Sequence, residues 1–120
     1  LGELGIVRQR QTAILGLAQA VQNGLDLSSR ARTPGELEAT RAGLRAIKGI
    51  GDWTAAYIAM RALRDPDSFP AGDVALQKAL DISLEDRQAS SVKSAKAAQL
   101  QSAKWQPWRS YAVLRAWGRL

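Results

Sequence analysis

Residues 44–57 of this chain read LRAIKGIGDWTAAY, and this stretch decides the fold. It contains two glycines, Gly49 and Gly51, which are separated by one apolar residue and flanked on both sides by helical patterns. Because glycine has no Cβ, a second backbone can approach closely, and the amides at the start of a helix can then bind a phosphate. The stretch therefore predicts two helices joined by a tight turn that binds phosphate.

The turn also has a purely structural interpretation, as a helix C-cap followed by a short connection. Nucleotide-binding loops fit less well, because the stretch lacks the GxxxxGK[ST] spacing and has neither a preceding strand nor a third glycine. Lys48 adds a charge and Thr54 a hydroxyl near the start of the second helix, where the helix dipole favours anions. A phosphate of the DNA backbone is the ligand that this arrangement favours.

Composition supports a polyanionic partner without identifying it. Seventeen Lys and Arg residues against eleven Asp and Glu residues give a net charge of +6 within 120 residues, as expected of one basic domain. The chain contains no cysteine and no histidine, which excludes disulfides, Cys/His zinc sites, iron–sulfur clusters and Ser/His/Asp triads within it. No apolar run is long enough for a membrane span, so we expect a soluble cytoplasmic protein that requires no cofactor.

The spacing of apolar residues predicts an all-α chain. Thr33, Pro34 and Glu36 have the pattern of a capping box with proline at the first helical position. We expect Asp52 to cap the helix after the glycines, and we expect a loop at 64–72 because it contains two prolines and a glycine. The other predicted helices cover residues 8–23, 74–80 and 88–104 and a segment that begins at Pro107.

Asp73 ends the sequence FPAGD and opens a predicted helix. A structural N-cap is the default interpretation of an acid in this position. The same carboxylate can also face a cation that develops on a sugar, or orient an attacking water. We therefore treat Asp73 as a candidate for both cap and catalyst.

Aromatic residues lie close to these motifs. Trp53 and Tyr57 are one turn apart on the helix that follows the glycines, and Trp117 lies near the end of the chain. Any one tryptophan is more often part of a core. An aromatic wall beside the turn can also stack on a base that has left the duplex, and it attracts a positively charged base through its π faces.

Three motifs together resemble a known family. LRAIKGIGDWTAAY, FPAGD and WxPWRSYAxxxxW, the last over 105–117, are similar to motifs of the helix-hairpin-helix DNA glycosylases that carry a glycine/proline-rich loop and an essential aspartate. Within this superfamily the chain looks most like the AlkA-type DNA-3-methyladenine glycosylases. The resemblance covers essentially all of residues 1–120 and implies the C-terminal portion of a glycosylase helix bundle, with the hairpin at about 44–57 and the loop and aspartate at about 64–73.

The resemblance implies a role for each matching residue. It assigns Asp73 as the catalytic carboxylate and Trp53, Tyr57 and Trp117 as the base pocket. The DNA phosphate would be bound by Gly49 and Gly51, with Thr54 and Lys48 assisting. The main-chain carbonyls of Arg45, Ile47 and Ile50 match positions that hold a monovalent cation, Na⁺ or K⁺, in the family.

The same resemblance implies the reaction and its setting. Family members that also cut the DNA strand carry a lysine nucleophile where this chain has Trp53, so the chain resembles a monofunctional glycosylase that hydrolyses the glycosidic bond of alkylated purines in double-stranded DNA. The implied setting is base excision repair at the bacterial nucleoid. Relatives also have an N-terminal β-rich domain and first helices, which we expect to be absent here, and some are fused to a methyl-transfer regulatory module.

Two other readings of the residues remain open. Helix-hairpin-helix turns often bind DNA without catalysing a reaction, and a module of that kind would need neither Asp73 nor the aromatic wall. An inactive portion of an enzyme is the other possibility.

Overall fold

The computed structural model describes residues 2–81 and 91–119. These ranges contain α-helices and 3₁₀ turns but no β-strand, so the all-α prediction is confirmed. None of the helices found there is both long and apolar enough to cross a membrane. The helices are α1 (Arg8–Gln22), α2 (Pro34–Arg45), α3 (Asp52–Arg61), α4 (Val74–Ala79), α5 (Ser91–Ser102) and α6 (Arg109–Trp117), with 3₁₀ turns at Gly2–Leu4 and Ala103–Trp105.

Helix α3 lies between two hydrophobic clusters and contributes to both. Ala55 belongs to the first cluster, in which the buried Leu44 of α2 and Ile50 of the turn pack against residues of α1. Met60 belongs to the second, with Leu76 of α4, and with Val113 and Ala116 of α6. Because successive faces of one helix serve both clusters, α3 links the glycine turn to the helices that carry the aspartate and the last tryptophan.

The capping box at the start of α2 is confirmed. The Glu36 backbone N–H donates to the Thr33 hydroxyl at 3.2 Å, and the Thr33 N–H donates to the Glu36 carboxylate at 3.5 Å. Pro34 occupies the first helical position, where its missing N–H costs no hydrogen bond.

The expectation that Asp52 caps α3 is wrong. The N-cap is Gly51, whose extended backbone (φ −96°, ψ −171°) precedes the helix and whose carbonyl accepts from the Ala55 N–H at 3.0 Å. Asp52 is therefore already the first helical residue, and it makes no side-chain cap. Its carboxylate still lies at the positive end of the helix dipole.

The start predicted for the last helix is also wrong. The Trp108 N–H donates to the Trp105 carbonyl at 2.7 Å and closes a turn, so α6 begins at Arg109 instead of Pro107. Helix α1 ends at Gln22, within one residue of the prediction. The first residues of the helix predicted over 88–104, residues 88–90, lie outside the described residues, and α5 covers 91–102 of it.

Candidate functional site

Asp73 is the N-cap of α4, as predicted. One of its carboxylate oxygens, Oδ2, accepts from the Leu76 backbone N–H at 2.8 Å. The Asp73 N–H in turn donates to the Pro70 carbonyl at 2.9 Å, which closes the end of the 64–73 loop. The carboxylate is thus fixed at a rigid junction between loop and helix.

Two tryptophan side chains also donate hydrogen bonds to this carboxylate. The Trp53 Nε1–H donates to Asp73 Oδ1 at 2.8 Å, and the Trp117 Nε1–H donates to Asp73 Oδ2 at 3.0 Å. Trp53 lies in α3 and Trp117 at the end of α6, so three helices meet at one carboxylate. Hydrogen bonds to an ionised acceptor are about twice as strong as neutral ones, so these contacts hold Asp73 in one orientation.

The carboxylate keeps a free acceptor position. A carboxylate has about four lone-pair sites, and donors within the described residues 2–81 and 91–119 use three of them, one on Oδ1 and two on Oδ2. Oδ1 of Asp73 can therefore accept a hydrogen bond from a water or face a positive charge without losing its present partners.

The three predicted aromatic residues form one continuous surface beside Asp73. The Trp53 and Tyr57 rings are stacked, with centroids 5.1 Å apart and planes within 8°. Trp117 is tilted against Tyr57 at a centroid distance of 6.2 Å. Tyr57 also has the Arg61 guanidinium over its ring at 5.7 Å. Trp53 is 41% exposed and is therefore available to stack on a further ring.

A polar cavity of about 390 Å³ lies next to this surface. Its lining includes Trp53 and the 67–72 part of the loop, together with Arg41, Arg45 and Arg109. Asp73, Tyr57 and Trp117 do not line it. The aromatic surface and the cavity therefore meet only at Trp53 among the predicted site residues.

An arginine of α6 anchors the loop that leads to Asp73. Arg109 donates to Asp67 through Nε at 2.8 Å and through Nη2 at 2.9 Å, which is a bidentate pair, and its backbone N–H adds a third bond at 3.2 Å. Burial alone would raise the pKa of the Asp67 carboxyl, but the hydrogen bonds and charge of Arg109 outweigh it and lower that pKa below its ordinary value.

A serine of α6 provides a second anchor. The Ser110 hydroxyl accepts from the Ser68 N–H at 2.8 Å and contacts the Asp65 carbonyl at 2.6 Å as donor. Asp65 is itself paired with Arg41 of α2 through its buried side chain. These contacts provide hydrogen-bond partners for backbone groups of a loop that has no regular secondary structure of its own.

The residues of this anchor were not identified from the sequence. Asp67 and Arg109 are 42 residues apart, as are Ser68 and Ser110, and no local pattern connects residues at that separation. The two acids of the segment RDPDS were the available signal, because a carboxylate that becomes buried is usually paired with a cation.

The glycine turn has two glycines with different geometry. Gly49 has a positive φ of 93°, which favours glycine, whereas Gly51 does not. A Cβ on Gly51 would meet no atom within 4 Å, so the backbone is open on that side. Thr54 is half-buried and Lys48 exposed beside the turn. The predicted phosphate-binding residues therefore lie together, with room for a ligand at Gly51.

The carbonyls predicted to hold a cation also lie at this turn. The Ile47 carbonyl accepts one hydrogen bond, from the Ile50 N–H at 3.0 Å, and retains a second lone pair. Arg45 ends α2, and Ile50 directly precedes the N-cap of α3. Backbone oxygens of this kind are hard ligands that suit an alkali cation. Elsewhere in the described part of the chain, no cluster of three acidic, His or Cys residues could hold a metal ion.

The chain is similar to three curated bacterial proteins over nearly its whole length. It is 37% identical over 123 residues to a probable bifunctional transcriptional activator/DNA repair enzyme AlkA of Mycobacterium tuberculosis. This alignment covers 99% of the chain and 22% of that protein. It is 31% identical to a DNA-3-methyladenine glycosylase of Bacillus subtilis and 30% identical to DNA-3-methyladenine glycosylase 2 of Escherichia coli. Each of these two alignments covers 98% of the chain and 37% of the relative.

The chain spans between about a fifth and two fifths of the length of these relatives. No family model and no solved structure matches it. Asp73, its tryptophan donors and the glycine turn all lie within the shared length, since the alignments cover almost every residue of the chain. Over this length the chain is similar to proteins named AlkA and DNA-3-methyladenine glycosylase, in agreement with the family that its motifs resemble.

Proposed function

We propose that the protein is a monofunctional DNA glycosylase that releases alkylated purines such as 3-methyladenine from double-stranded DNA. The observation that carries the proposal is the Asp73 carboxylate, held by the indole N–H groups of Trp53 and Trp117 next to an aromatic surface. An oriented carboxylate beside stacked rings suits cleavage of a bond between a sugar and a base. Homology to DNA glycosylases supports the same reaction class.

Asp73 acts on the sugar side of the bond in this proposal. As the glycosidic bond breaks, positive charge develops on the sugar, and the ionised carboxylate stabilises it or orients the attacking water. The free acceptor position on Oδ1 allows either role. An alkylated purine is cationic and already a good leaving group, so a separate general acid is not needed.

The aromatic surface acts on the base side. Trp53 is the exposed member and would stack on the extruded base, with Tyr57 and Trp117 behind it. A cationic base gains a further attraction to such rings, about 2 kcal/mol when desolvated. No lysine occupies position 53 to form a Schiff base, so the reaction would stop at hydrolysis and leave an abasic site.

The glycine turn would hold the DNA. Backbone amides at Gly49 and Gly51 would donate to a phosphate, with the Thr54 hydroxyl and the Lys48 charge assisting. A monovalent cation on the carbonyls of the turn would add positive charge next to the same phosphate. A DNA partner would place the protein at the bacterial nucleoid.

The test is base release by the complete gene product from duplex DNA treated with a methylating agent. Asp73→Asn should lower the single-turnover rate by about 100-fold or more, the usual cost of losing one preorganised electrostatic group. Asp52→Asn is the matched control, because it removes the same charge from an exposed position at the start of α3. Near-normal release by Asp73→Asn would contradict the proposed mechanism.

A non-catalytic DNA-binding module is the second candidate. The open space at Gly51 favours it, because the turn could bind the DNA backbone there without Asp73. Such a module would bind duplex DNA in a salt-dependent way that Gly51→Val weakens and Asp73→Asn leaves unchanged. Absence of base release by the complete gene product, with binding retained, would establish this candidate instead.

A further inference from the structure

A basic cleft lies between the first turns of α1 and the glycine turn. It has a volume of about 660 Å³. Helix α1 contributes Arg8, Gln9, Arg10, Thr12 and Ala13 to its lining, and the turn contributes Lys48 and Gly49. Lys48 and Gly49 belong to the turn that was predicted to bind phosphate, whereas no residue of α1 was predicted to contact DNA.

A close approach at Gly49 brings the two elements together. A Cβ at Gly49 would stand 2.9 Å from the Ala13 Cβ and 3.3 Å from the Gln9 carbonyl oxygen. Real Cβ atoms essentially never show the first of these contacts, and the positive φ disfavours a side chain independently. The turn therefore packs directly on α1, and Lys48 faces the same cleft as the two arginines.

The cleft is positively charged and its charges are uncompensated. Arg8, Arg10 and Lys48 all line it, and no acidic residue does. Among residues 2–81 and 91–119, no ion pair involves any of the three. Like charges that share a cleft repel one another and raise the local positive potential, so an anion bound there would be stabilised.

The cleft continues into the groove beside the hairpin. A second depression of about 260 Å³ shares Arg10, Ala13 and Gly49 with it and extends to Ile50 and Thr54. Apart from Arg10 and Thr54, its lining is apolar, so Arg10 is the cation that the two depressions share. The cleft itself places Arg8 and Arg10 beside Lys48 and Gly49, which are proposed to bind one phosphate, and a ligand with successive phosphates, as in a DNA strand, can contact both sets.

We propose that Arg8 and Arg10 bind a second phosphate of the same DNA strand, next to the phosphate held by the glycine turn. This inference rests on the proposed function only in taking duplex DNA as the ligand, and it does not depend on catalysis. The two arginines extend the contact with DNA by one phosphate along its backbone. They contribute no sequence preference, and they make DNA binding more sensitive to salt.

Salt dependence tests the proposal directly. Binding of the complete gene product to an undamaged duplex is measured by fluorescence anisotropy between 50 and 200 mM salt, which is the range where phosphate contacts dominate. Each phosphate contact contributes about 0.9 to the slope of log K against log salt, so Arg8→Gln/Arg10→Gln, which removes both side chains from one phosphate, should reduce the slope by about 0.9. Arg8→Lys/Arg10→Lys keeps both charges and should restore most of it.

A matched control separates local contact from overall charge. Arg115→Gln/Arg119→Gln removes the same charge from a different cavity, which both residues line with Trp105 and which shares no lining residue with the α1 cleft. It should change the slope by less than about 0.5 if binding is local. An equal reduction in both double variants, or an unchanged slope in Arg8→Gln/Arg10→Gln, would overturn the inference.

Base release distinguishes this inference from the proposed function. Arg8→Gln/Arg10→Gln should raise the protein concentration that gives half-maximal release of methylated bases, in proportion to its loss of DNA affinity. If wild-type protein binds DNA with the predicted slopes but releases no base, the glycosylase proposal fails and the phosphate site stands. If wild-type protein binds no duplex DNA, both fail.

Discussion

Trp117→Phe tests whether the indole N–H groups orient the carboxylate. The substitution keeps an aromatic ring beside Tyr57 but removes the 3.0 Å hydrogen bond to Asp73 Oδ2, one of three that the carboxylate accepts. A hydrogen bond to a charged group contributes about 1.5–3 kcal/mol. Because Asp73 is only half-buried, we expect a value near or below the lower end of this range, about 1–2 kcal/mol. If that energy is lost in the transition state, the rate falls about 5- to 30-fold.

The assay is single-turnover base release from methylated duplex DNA by the complete gene product. Trp105→Phe is the matched control, since it makes the same chemical change at a tryptophan that lines a different cavity and does not contact Asp73. Circular dichroism and urea unfolding show whether each variant is folded. A Trp117→Phe rate within twofold of wild type, in a folded protein, would refute the reasoning and would leave Trp117 with a packing role only.

Three further predictions concern the loop and the turn in the 120-residue chain. Ser110→Ala should lower the free energy of unfolding, measured in urea, by about 1–3 kcal/mol, because it leaves the buried Ser68 N–H without an acceptor. Ser102 is also buried, but Ser102→Ala removes only a hydroxyl hydrogen bond within its own helix. This control should lower the free energy of unfolding by less than half as much. The pKa of Asp67 in the folded chain lies below its ordinary value of 3.8, so the stabilisation by this carboxylate is present above that pH and is lost as the pH falls further. Asp67→Asn should therefore flatten the loss of stability between pH 5 and pH 2, as measured by urea unfolding. An unchanged pH profile would contradict this expectation. Gly49→Ala should destabilise the chain by about 1–3 kcal/mol, because position 49 has a positive φ and an added Cβ would be crowded. Gly51→Ala places its Cβ in open space and should change stability by less than about 0.5 kcal/mol. Equal effects of the two substitutions would show that the turn does not pack on α1 as described.

The helices and their caps were predictable where they depend on neighbours in sequence. The capping box at Thr33 and the N-cap at Asp73 each involve residues three apart, so the pattern of side chains contains the whole interaction. Asp52 shows the limit of such reasoning, because both Gly51 and Asp52 suit an N-cap and only the backbone conformation distinguishes them. The start of α6 was missed for a similar reason, since a turn at 105–108 precedes it.

The candidate site could be predicted in part. The residue types around Asp73 and the aromatic positions came from motifs, and the structure brings Trp53, Tyr57 and Trp117 together at one surface. The direction of the indole N–H groups could not be predicted, because it depends on how α3 and α6 are placed around α4. Trp117 and Asp73 are 44 residues apart.

By itself, the sequence determined the all-α class, the glycine turn between two helices and the identity of the acid that follows the loop. These features are local: glycine conformation, helix capping and apolar spacing act within a few residues. The tertiary structure decided that two tryptophans hold the carboxylate, that Arg109 and Ser110 anchor its loop, and that α1 adds its arginines to the turn. Those contacts join distant segments, and they form only when the two hydrophobic clusters on either side of α3 bring the helices into place.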